Sequence, residues 1–206
     1  MNRKVVIARY NEPIEWVLDI KCDYVIYNKG NDINHPGIDH DKIINVPNEG
    51  REAETFLRYI VSNYHDLPDS IAFLQGNPFD HYPEALNVIN SENTPDMERM
   101  GSQTFCDRVG RDSYPGLPVF NIQKIIMPEL ETERYDFTAG AQLMVDKKYI
   151  INKPLSWWQH VFYVYNNYWF SNIESGYGHK PGVFIAHVFE RLWEYIFKHK
   201  IIEDVR

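Results

Sequence analysis

Short apolar runs separated by polar turns make up the first part of the chain. Four such runs, at residues 4–8, 24–27, 43–46 and 71–74, have the length and composition of buried strands. Between the last two of them, apolar residues recur at helical spacing and predict a helix over about 51–64. Strands that alternate with helices indicate an α/β fold, so we expect a mostly parallel central sheet flanked by helices.

Four further elements follow from the same kind of pattern. Pro13 suits the first turn of a short helix that ends near Leu18. Residues 137–145 predict another central strand, with small side chains where a neighbour approaches the backbone. Aromatic-rich stretches with helical spacing predict two more helices, over about 154–168 and 183–199.

Two less regular stretches lie between these elements. Residues 87–133 mix polar and aromatic positions, and they either connect elements or roof a ligand site. A glycine-rich break at 176–182 precedes the last helix. Since the sequence contains no repeat, low-complexity segment or linker, we expect one domain over residues 1–206.

Composition narrows the possible partners and the compartment. The 44% hydrophobic and 15% aromatic content excludes a disordered chain. A net charge of −8 argues against a nucleic-acid binder, because phosphate neutralisation needs an excess of Lys and Arg. Cys22 and Cys106 are far apart and suit a reducing compartment. With no signal-like start and no apolar run of about 20 residues, we expect a cytoplasmic protein without a membrane span.

The fourth apolar run leads into polar side chains that could hold a ligand. Gln75, Asn77, Asp80 and His81 follow it, with Pro78 ending the strand. In open α/β sheets, ligands bind outside the carboxyl ends of the strands. We therefore expect a polar ligand at this loop; the alternative is an ordinary polar turn.

Four loops leave the carboxyl ends of the predicted strands and should meet at one edge of the sheet. They are residues 9–12, 28–30, 48–52 and 75–81, and they offer amides, cations and carboxylates. That mixture suits a nucleoside diphosphate, and the helix beginning near Arg51 adds free N–H groups for an anion. The sequence has no glycine-rich fingerprint for NAD or P-loop ATP binding.

Five motifs carry a family resemblance. They are Ala8-Arg9-Tyr10-Asn11-Glu12 with Trp16, Tyr27-Asn28-Lys29-Gly30, Gly50-Arg51-Glu52, Phe73-Leu74-Gln75-Gly76-Asn77 and Phe189-Glu190-Arg191-Leu192-Trp193. In this order they resemble a glycosyltransferase-like family with the type-A nucleotide-diphospho-sugar transferase fold, which includes small domains encoded by large algal viruses (chloroviruses). The resemblance spans nearly the whole chain, and it implies a nucleotide-binding half at about 1–90 and an acceptor half at about 91–206.

The resemblance implies an activity and its substrates. We expect transfer of a sugar from a nucleotide-sugar donor, with UDP as the expected nucleotide, to a saccharide hydroxyl of a glycan or glycoprotein. The alternatives are a sugar-nucleotide-binding domain without transferase activity and a hydrolase that uses Asp80 and His81. The residues expected to contact the donor are Arg9, Tyr10, Asn11, Glu12, Lys29, Arg51, Gln75, Gly76 and Asn77.

The resemblance also implies a divalent metal ion, Mn²⁺ or Mg²⁺. In such enzymes an Asp-x-Asp motif at the strand end binds the metal, and here Gln75-Gly76-Asn77 stands in its place. Amides hold these cations less well than carboxylates do. We therefore expect Asp80, with Asn77 or His81, to make the metal contact.

An inverting transfer needs a carboxylate that deprotonates the acceptor hydroxyl. Glu190 shares a face of the last helix with His187 and is one candidate, although an ion pair with Arg191 is the structural alternative. Asp136 is the rival candidate. The aromatic residues of 157–169 either stack on a sugar or form core, and His179 belongs to a possible lid over the donor.

Overall fold

The computed structural model describes residues 2–93, 95–108, 116–171 and 182–200. Its strands are β1 (Arg3–Arg9), β2 (Asp23–Asn28), β3 (Ile43–Asn45), β4 (Ser70–Gln75), β5 (Met97–Arg99), β6 (Gln103–Asp107), β7 (Arg134–Thr138) and β8 (Leu143–Asp146). Its α-helices are α1 (Arg51–Asn63), α2 (Ala85–Asn90), α3 (Val119–Ile126), α4 (Lys148–Ile151), α5 (Leu155–Trp169) and α6 (Phe184–Lys198). Short 3₁₀ helices occupy Glu15–Asp19, His40–Lys42 and Pro78–Asp80.

Six strands form the central sheet in the order β3-β2-β1-β4-β8-β5. Strands β1 to β4 are parallel to one another, whereas β8 runs antiparallel to both β4 and β5. The remaining strands, β6 and β7, pair as a separate antiparallel ribbon. The expectation of a single α/β domain with a mostly parallel sheet is therefore confirmed.

The sheet buries both faces because the middle positions of its inner strands are apolar. Alternate side chains point to opposite faces, so Val6 and Phe73 pack in the larger core while Val5, Ile7 and Leu74 pack in the smaller one. Helices α1, α5 and α6 cover the first face. The segment around Glu15–Asp19 and helix α2 cover the second.

The predicted helices over 51–64, 154–168 and 183–199 are confirmed as α1, α5 and α6. The single strand predicted over 137–145 is wrong. It is the end of β7 and most of β8, separated by a turn in which Gly140 and Ala141 both have positive φ, 85° and 56°. A left-handed pair cannot continue a strand, so the chain leaves the β6–β7 ribbon there and enters the central sheet at β8.

The stretch at 87–133 is more ordered than its sequence indicates, since β5, β6 and α3 lie within it. The predicted glycine-rich break, apart from Gly182, and the possible lid residue His179 lie outside the described residues. Within the described ranges, no helix is long and apolar enough to cross a membrane.

Candidate functional site

A cavity of about 250 Å³ opens at the carboxyl ends of β1 and β4. The strand order reverses at this point, because the chain runs from β1 to β2 on one side and places β4 on the other. Open α/β sheets bind ligands at such a switch point. The residues lining the cavity are Ala8, Arg9, Tyr10, Glu12, Lys29, Asn48, Arg51, Glu52 and Gln75. All four predicted loops contribute to it, so the expectation that they meet at one edge is confirmed.

Two glycines allow the loop after β1 to pack closely against its neighbours. A Cβ atom on Gly30 would lie 1.6 Å from the carbonyl oxygen of Tyr10, and one on Gly76 would lie 2.4 Å from Oε2 of Glu12. The indole Nε1 of Trp16 also donates a hydrogen bond of 2.9 Å to the Gly76 carbonyl. These contacts hold the loop after β1 against its neighbours beside the cavity, and they give Gly76 a packing role.

Arg9 is held rigidly at the wall of the cavity. Its Nε donates to the Glu12 carbonyl at 2.9 Å, and its Nη1 donates to Asn28 Oδ1 at 2.6 Å and to the Asn31 carbonyl at 2.9 Å. Among the described residues, its Nη2 donates no hydrogen bond. One side of a positioned guanidinium therefore remains for a ligand, as the sequence predicted for Arg9.

The structure gives Lys29 a different role from the predicted phosphate contact. Its ammonium donates to the carbonyls of Glu49 and Arg51 at 2.5 and 2.6 Å, and to Oε2 of Glu54 at 2.9 Å. Both side chains of the Lys29–Glu54 ion pair are buried. Burial lowers the pKa of Lys29, and the Glu54 carboxylate opposes that change. Because the three ammonium protons all have protein acceptors, Lys29 fixes the loop before α1.

Arg51 begins α1 in a strained backbone conformation. Its φ is 45°, directly after Gly50 at 66°. Tyr165 holds this turn by donating a hydrogen bond of 2.8 Å to the Gly50 carbonyl. Non-glycine residues in the left-handed region are strained by about 1–3 kcal/mol and cluster at functional sites. The side chain of Arg51 is 48% exposed and lines the cavity, so its guanidinium can reach an anion there.

Glu52 is a carboxylate of the cavity that sequence reasoning missed. Its side chain is 12% exposed and lies 3.6 Å from Nε of Arg51. Burial raises the pKa of Glu52, Arg51 lowers it, and the nearby Glu190 carboxylate raises it further. A carboxyl group with a raised pKa in a cleft is a candidate proton carrier. The sequence signal was its place in the Gly50-Arg51-Glu52 motif.

A chain of hydrogen bonds joins the end of β4 to helix α6. Nε2 of Gln75 donates to the Gly140 carbonyl at 2.8 Å, and the Gly140 N–H donates to Oε1 of Glu190 at 2.7 Å. Nη1 of Arg191 donates to Oε2 of Glu190 at 3.0 Å. The structure thus brings Glu190 close to the edge that holds the cavity, with both carboxylate oxygens engaged. Its catalytic role stays a prediction.

Asp136 does not line this cavity. It is an exposed residue of the β6–β7 ribbon, and its Oδ1 accepts a hydrogen bond of 2.8 Å from Nε of Arg134. It lines a different cavity, of about 220 Å³, together with Arg99 and Phe105. The expectation that Asp136 serves the same site is therefore not supported. It followed from placing Asp136 before a central strand, whereas β7 belongs to the ribbon.

The residues after β4 do not fit a protein-held divalent metal ion. Asn77 Oδ1 accepts a long hydrogen bond from the Phe79 N–H, and Asp80 is exposed at the end of the following 3₁₀ turn. His81 is exposed and packs against Gly140, where an added Cβ would lie 2.5 Å from its ring. Among the described residues, no three His, Cys, Asp or Glu side chains are grouped to hold a metal. One exposed carboxylate is a poor donor set for Mg²⁺ or Mn²⁺.

Of the other residues predicted to contact donor or acceptor, some lie at the surface and some lie in the core. Tyr10 is half exposed at the cavity, and Oδ1 of Asn11 accepts a hydrogen bond of 2.9 Å from the Asn31 N–H. Trp158 and Tyr165 are fully buried core residues of α5. Asn11 therefore ties two loops together, and the core interpretation holds for these two aromatic side chains.

Fold and site together define the class: an α/β protein with an open, mostly parallel sheet and a charged cavity at its switch point. The chain belongs to the family described as "Protein of unknown function (DUF3431)", whose model matches residues 5–117, more than half of the chain. All nine residues that line the cavity lie within the matched stretch, whereas Asp136 and Glu190 lie beyond it. No curated protein and no solved structure matches the chain.

Proposed function

We propose that this protein is a glycosyltransferase of the type-A fold. It transfers a sugar from a nucleotide-sugar donor, with UDP as the expected nucleotide, to a saccharide hydroxyl of a glycan or glycoprotein. The observation that carries the proposal is the cavity at the switch point, where two arginines and a largely buried carboxylate meet at the carboxyl ends of β1 and β4.

The sheet supports the proposed division of labour between the two halves of the chain. Strands β1 to β4, which are parallel and form the cavity edge, all lie within residues 1–90. The antiparallel strand β8 and the β6–β7 ribbon come from residues 91–206. A donor would then bind to the first half, and the acceptor would approach from the second.

The charges of the cavity support a diphosphate ligand. Arg9 and Arg51 present guanidinium groups from two different loops, and guanidinium groups match phosphate oxygens in geometry and charge. The first-turn N–H groups of α1 add partial positive charge at the same edge. Amide side chains such as Asn48 and Gln75 line the cavity and can hydrogen bond to base or ribose.

Glu52 supplies the proton acceptor for an inverting transfer. The acceptor oxygen forms a bond to the anomeric carbon as the bond from that carbon to the diphosphate oxygen breaks, and the hydroxyl proton passes to the Glu52 carboxylate. A raised pKa makes this carboxylate a stronger base than an exposed one. Glu190, with both oxygens already accepting hydrogen bonds, is the second candidate for the same step.

The test is a thermal-shift screen over UDP-, GDP- and dTDP-sugars, followed by a transfer assay with a saccharide panel. A ligand at about 100 times its Kd stabilises the native state by about 2.7 kcal/mol, which is a visible shift in Tm. We expect UDP-sugars to stabilise the protein and to release UDP when an acceptor is present. Binding without transfer or hydrolysis would favour the sugar-nucleotide-binding alternative, and no stabilisation by any donor would contradict the proposal.

A further inference from the structure

We infer that Arg9 and Arg51 neutralise the diphosphate of the donor directly, so that binding needs no divalent cation. This inference rests on the proposed function and adds to it the way in which the site handles phosphate charge. It departs from the expectation of a Mn²⁺ or Mg²⁺ ion that the family resemblance raised.

The residues at the end of β4 offer few oxygen ligands for a metal ion. Hard cations bind through several oxygen ligands, of which carboxylates contribute most. Here the strand ends in Gln75, whose amide nitrogen donates to the Gly140 carbonyl, and the next amide, Asn77, caps the following turn. Asp80 is the one carboxylate of this loop, and it is exposed and outside the cavity lining. The protein therefore offers a metal very few ligands at this position.

Each carboxylate of the cavity itself lies beside another protein group. Oε2 of Glu12 accepts a hydrogen bond of 2.7 Å from the Tyr10 N–H and lies where a Cβ on Gly76 would clash with it. Glu52 lies beside the guanidinium of Arg51. Neither carboxylate belongs to a group of three His, Cys, Asp or Glu side chains suited to a metal within the described ranges.

Two arginines supply the positive charge that a diphosphate needs. Three cationic side chains line the cavity, but the ammonium of Lys29 is paired with the buried Glu54 carboxylate and has protein acceptors for all its protons. Arg9 is anchored through Nε and Nη1, which leaves Nη2 for the ligand. Arg51 reaches the cavity from the opposite loop and is about half exposed. Two guanidinium groups on facing loops can share the charge of one diphosphate.

Isothermal titration of UDP into the intact chain tests the inference, once in EDTA and once in Mn²⁺. We expect the same Kd in both buffers. Arg9→Gln and Arg51→Asn should each weaken binding by about 10- to 100-fold in both buffers, because each removes a charge-assisted contact. Asn tolerates the positive φ of residue 51, so Arg51→Asn keeps its fold even if Arg9→Gln does not. Arg134→Gln, which removes the same charge from the β6–β7 ribbon, is the matched control and should bind as wild type does.

The outcomes separate this inference from the function on which it rests. UDP binding that requires Mn²⁺, or that Asp80→Asn abolishes, would overturn the inference and leave the proposed function standing. UDP binding in EDTA that both arginine variants retain in full would also overturn it. If UDP, GDP and dTDP all fail to bind in either buffer, the proposed function fails and the inference fails with it.

Discussion

Two regions of this molecule contain buried charged side chains, but they differ in whether the protein provides a hydrogen-bond partner for every polar group. Lys153, between α4 and α5, is completely buried, and its ammonium donates to the carbonyls of Tyr149 and Phe197 at 2.7 and 2.9 Å and to Oδ1 of Asn152 at 2.8 Å. The rings of Trp157 and Trp158 lie 5.6 and 5.4 Å from its nitrogen. Every donor of this lysine has a protein acceptor, so the site is complete without a ligand.

The cavity at the carboxyl edge differs from the Lys153 site, because not every donor there has an acceptor among the described residues. Arg9 keeps one nitrogen without a hydrogen bond to the described residues, and Arg51 is held in a strained backbone with its side chain at the opening. Glu52 is largely buried beside it with a raised pKa. Buried charge therefore indicates a ligand site only where some of the polar groups lack a hydrogen-bond partner within the protein. Lys29 lines the same cavity, but like Lys153 it has protein acceptors for all the protons of its ammonium group.

The largest effect is expected from removing the charge of Glu52. Glu52→Gln should lower the rate of sugar transfer by about 10²–10⁴-fold, the usual contribution of a general base, while UDP binding persists. Single-turnover transfer and isothermal titration separate the two quantities. Glu190→Gln is the comparison variant, and a large loss there with full activity in Glu52→Gln would reverse the assignment of the base.

The next largest effect is a loss of stability on replacing Lys153. Lys153→Met keeps most of the side-chain volume but removes the donor from the acceptors at Tyr149, Asn152 and Phe197, of which Phe197 is buried, and this should lower the free energy of unfolding by about 1–3 kcal/mol. Urea denaturation measures the change. The Kd for UDP should stay at the wild-type value, and a loss of UDP binding would undermine the contrast between the two regions.

The same lysine makes stability depend on pH. Burial lowers the pKa of Lys153 from 10.5 to about 7. Between these values the unfolded chain binds a proton that the folded chain has released, so the free energy of unfolding should rise with pH, by up to about 1.4 kcal/mol per pH unit. Below about pH 7 both states are protonated and this contribution is absent. Urea titrations from pH 6 to 9 on wild type and Lys153→Met would show it as a difference in slope; equal slopes would exclude it.

The smallest effect concerns backbone strain at the cavity. Arg51→Gly should raise the free energy of unfolding by about 1 kcal/mol, because glycine adopts a φ of 45° without steric conflict, yet it should weaken UDP binding. Ala141→Gly relieves similar strain at a φ of 56° without removing a charge, and it should leave UDP affinity intact. Thermal denaturation and titration of both variants would test this, and stronger UDP binding in Arg51→Gly would contradict it.

Much of the fold and of the cavity could be predicted from the sequence, because apolar runs mark the buried strands and parallel strands gather their carboxyl ends. Arg9, Arg51 and Gln75 followed from that rule. What could not be predicted depends on distant partners. Lys29 pairs with a residue 25 positions away, and the pKa of Glu52 responds to Glu190 on the last helix.

The errors of the sequence analysis have local causes. Ala141 is an unusual residue for a left-handed turn, so Gly140 was the one residue in the run at 137–145 that marked the break between β7 and β8. Asp136 was therefore expected just before a central strand, whereas it lies in the β6–β7 ribbon. The metal contact expected at Asp80 stays a prediction. It followed from the motif that Gln75-Gly76-Asn77 replaces, and the structure places Asp80 at an exposed position in the 3₁₀ turn after Asn77.

A crystal structure of the protein grown with UDP and EDTA would test the central claim most directly. The account predicts that the diphosphate lies in the cavity at the ends of β1 and β4, with its oxygens within hydrogen-bond distance of Nη2 of Arg9 and of the Arg51 guanidinium. UDP bound at any other surface, or a diphosphate placed beside Asp80 and His81 with neither arginine in contact, would contradict it.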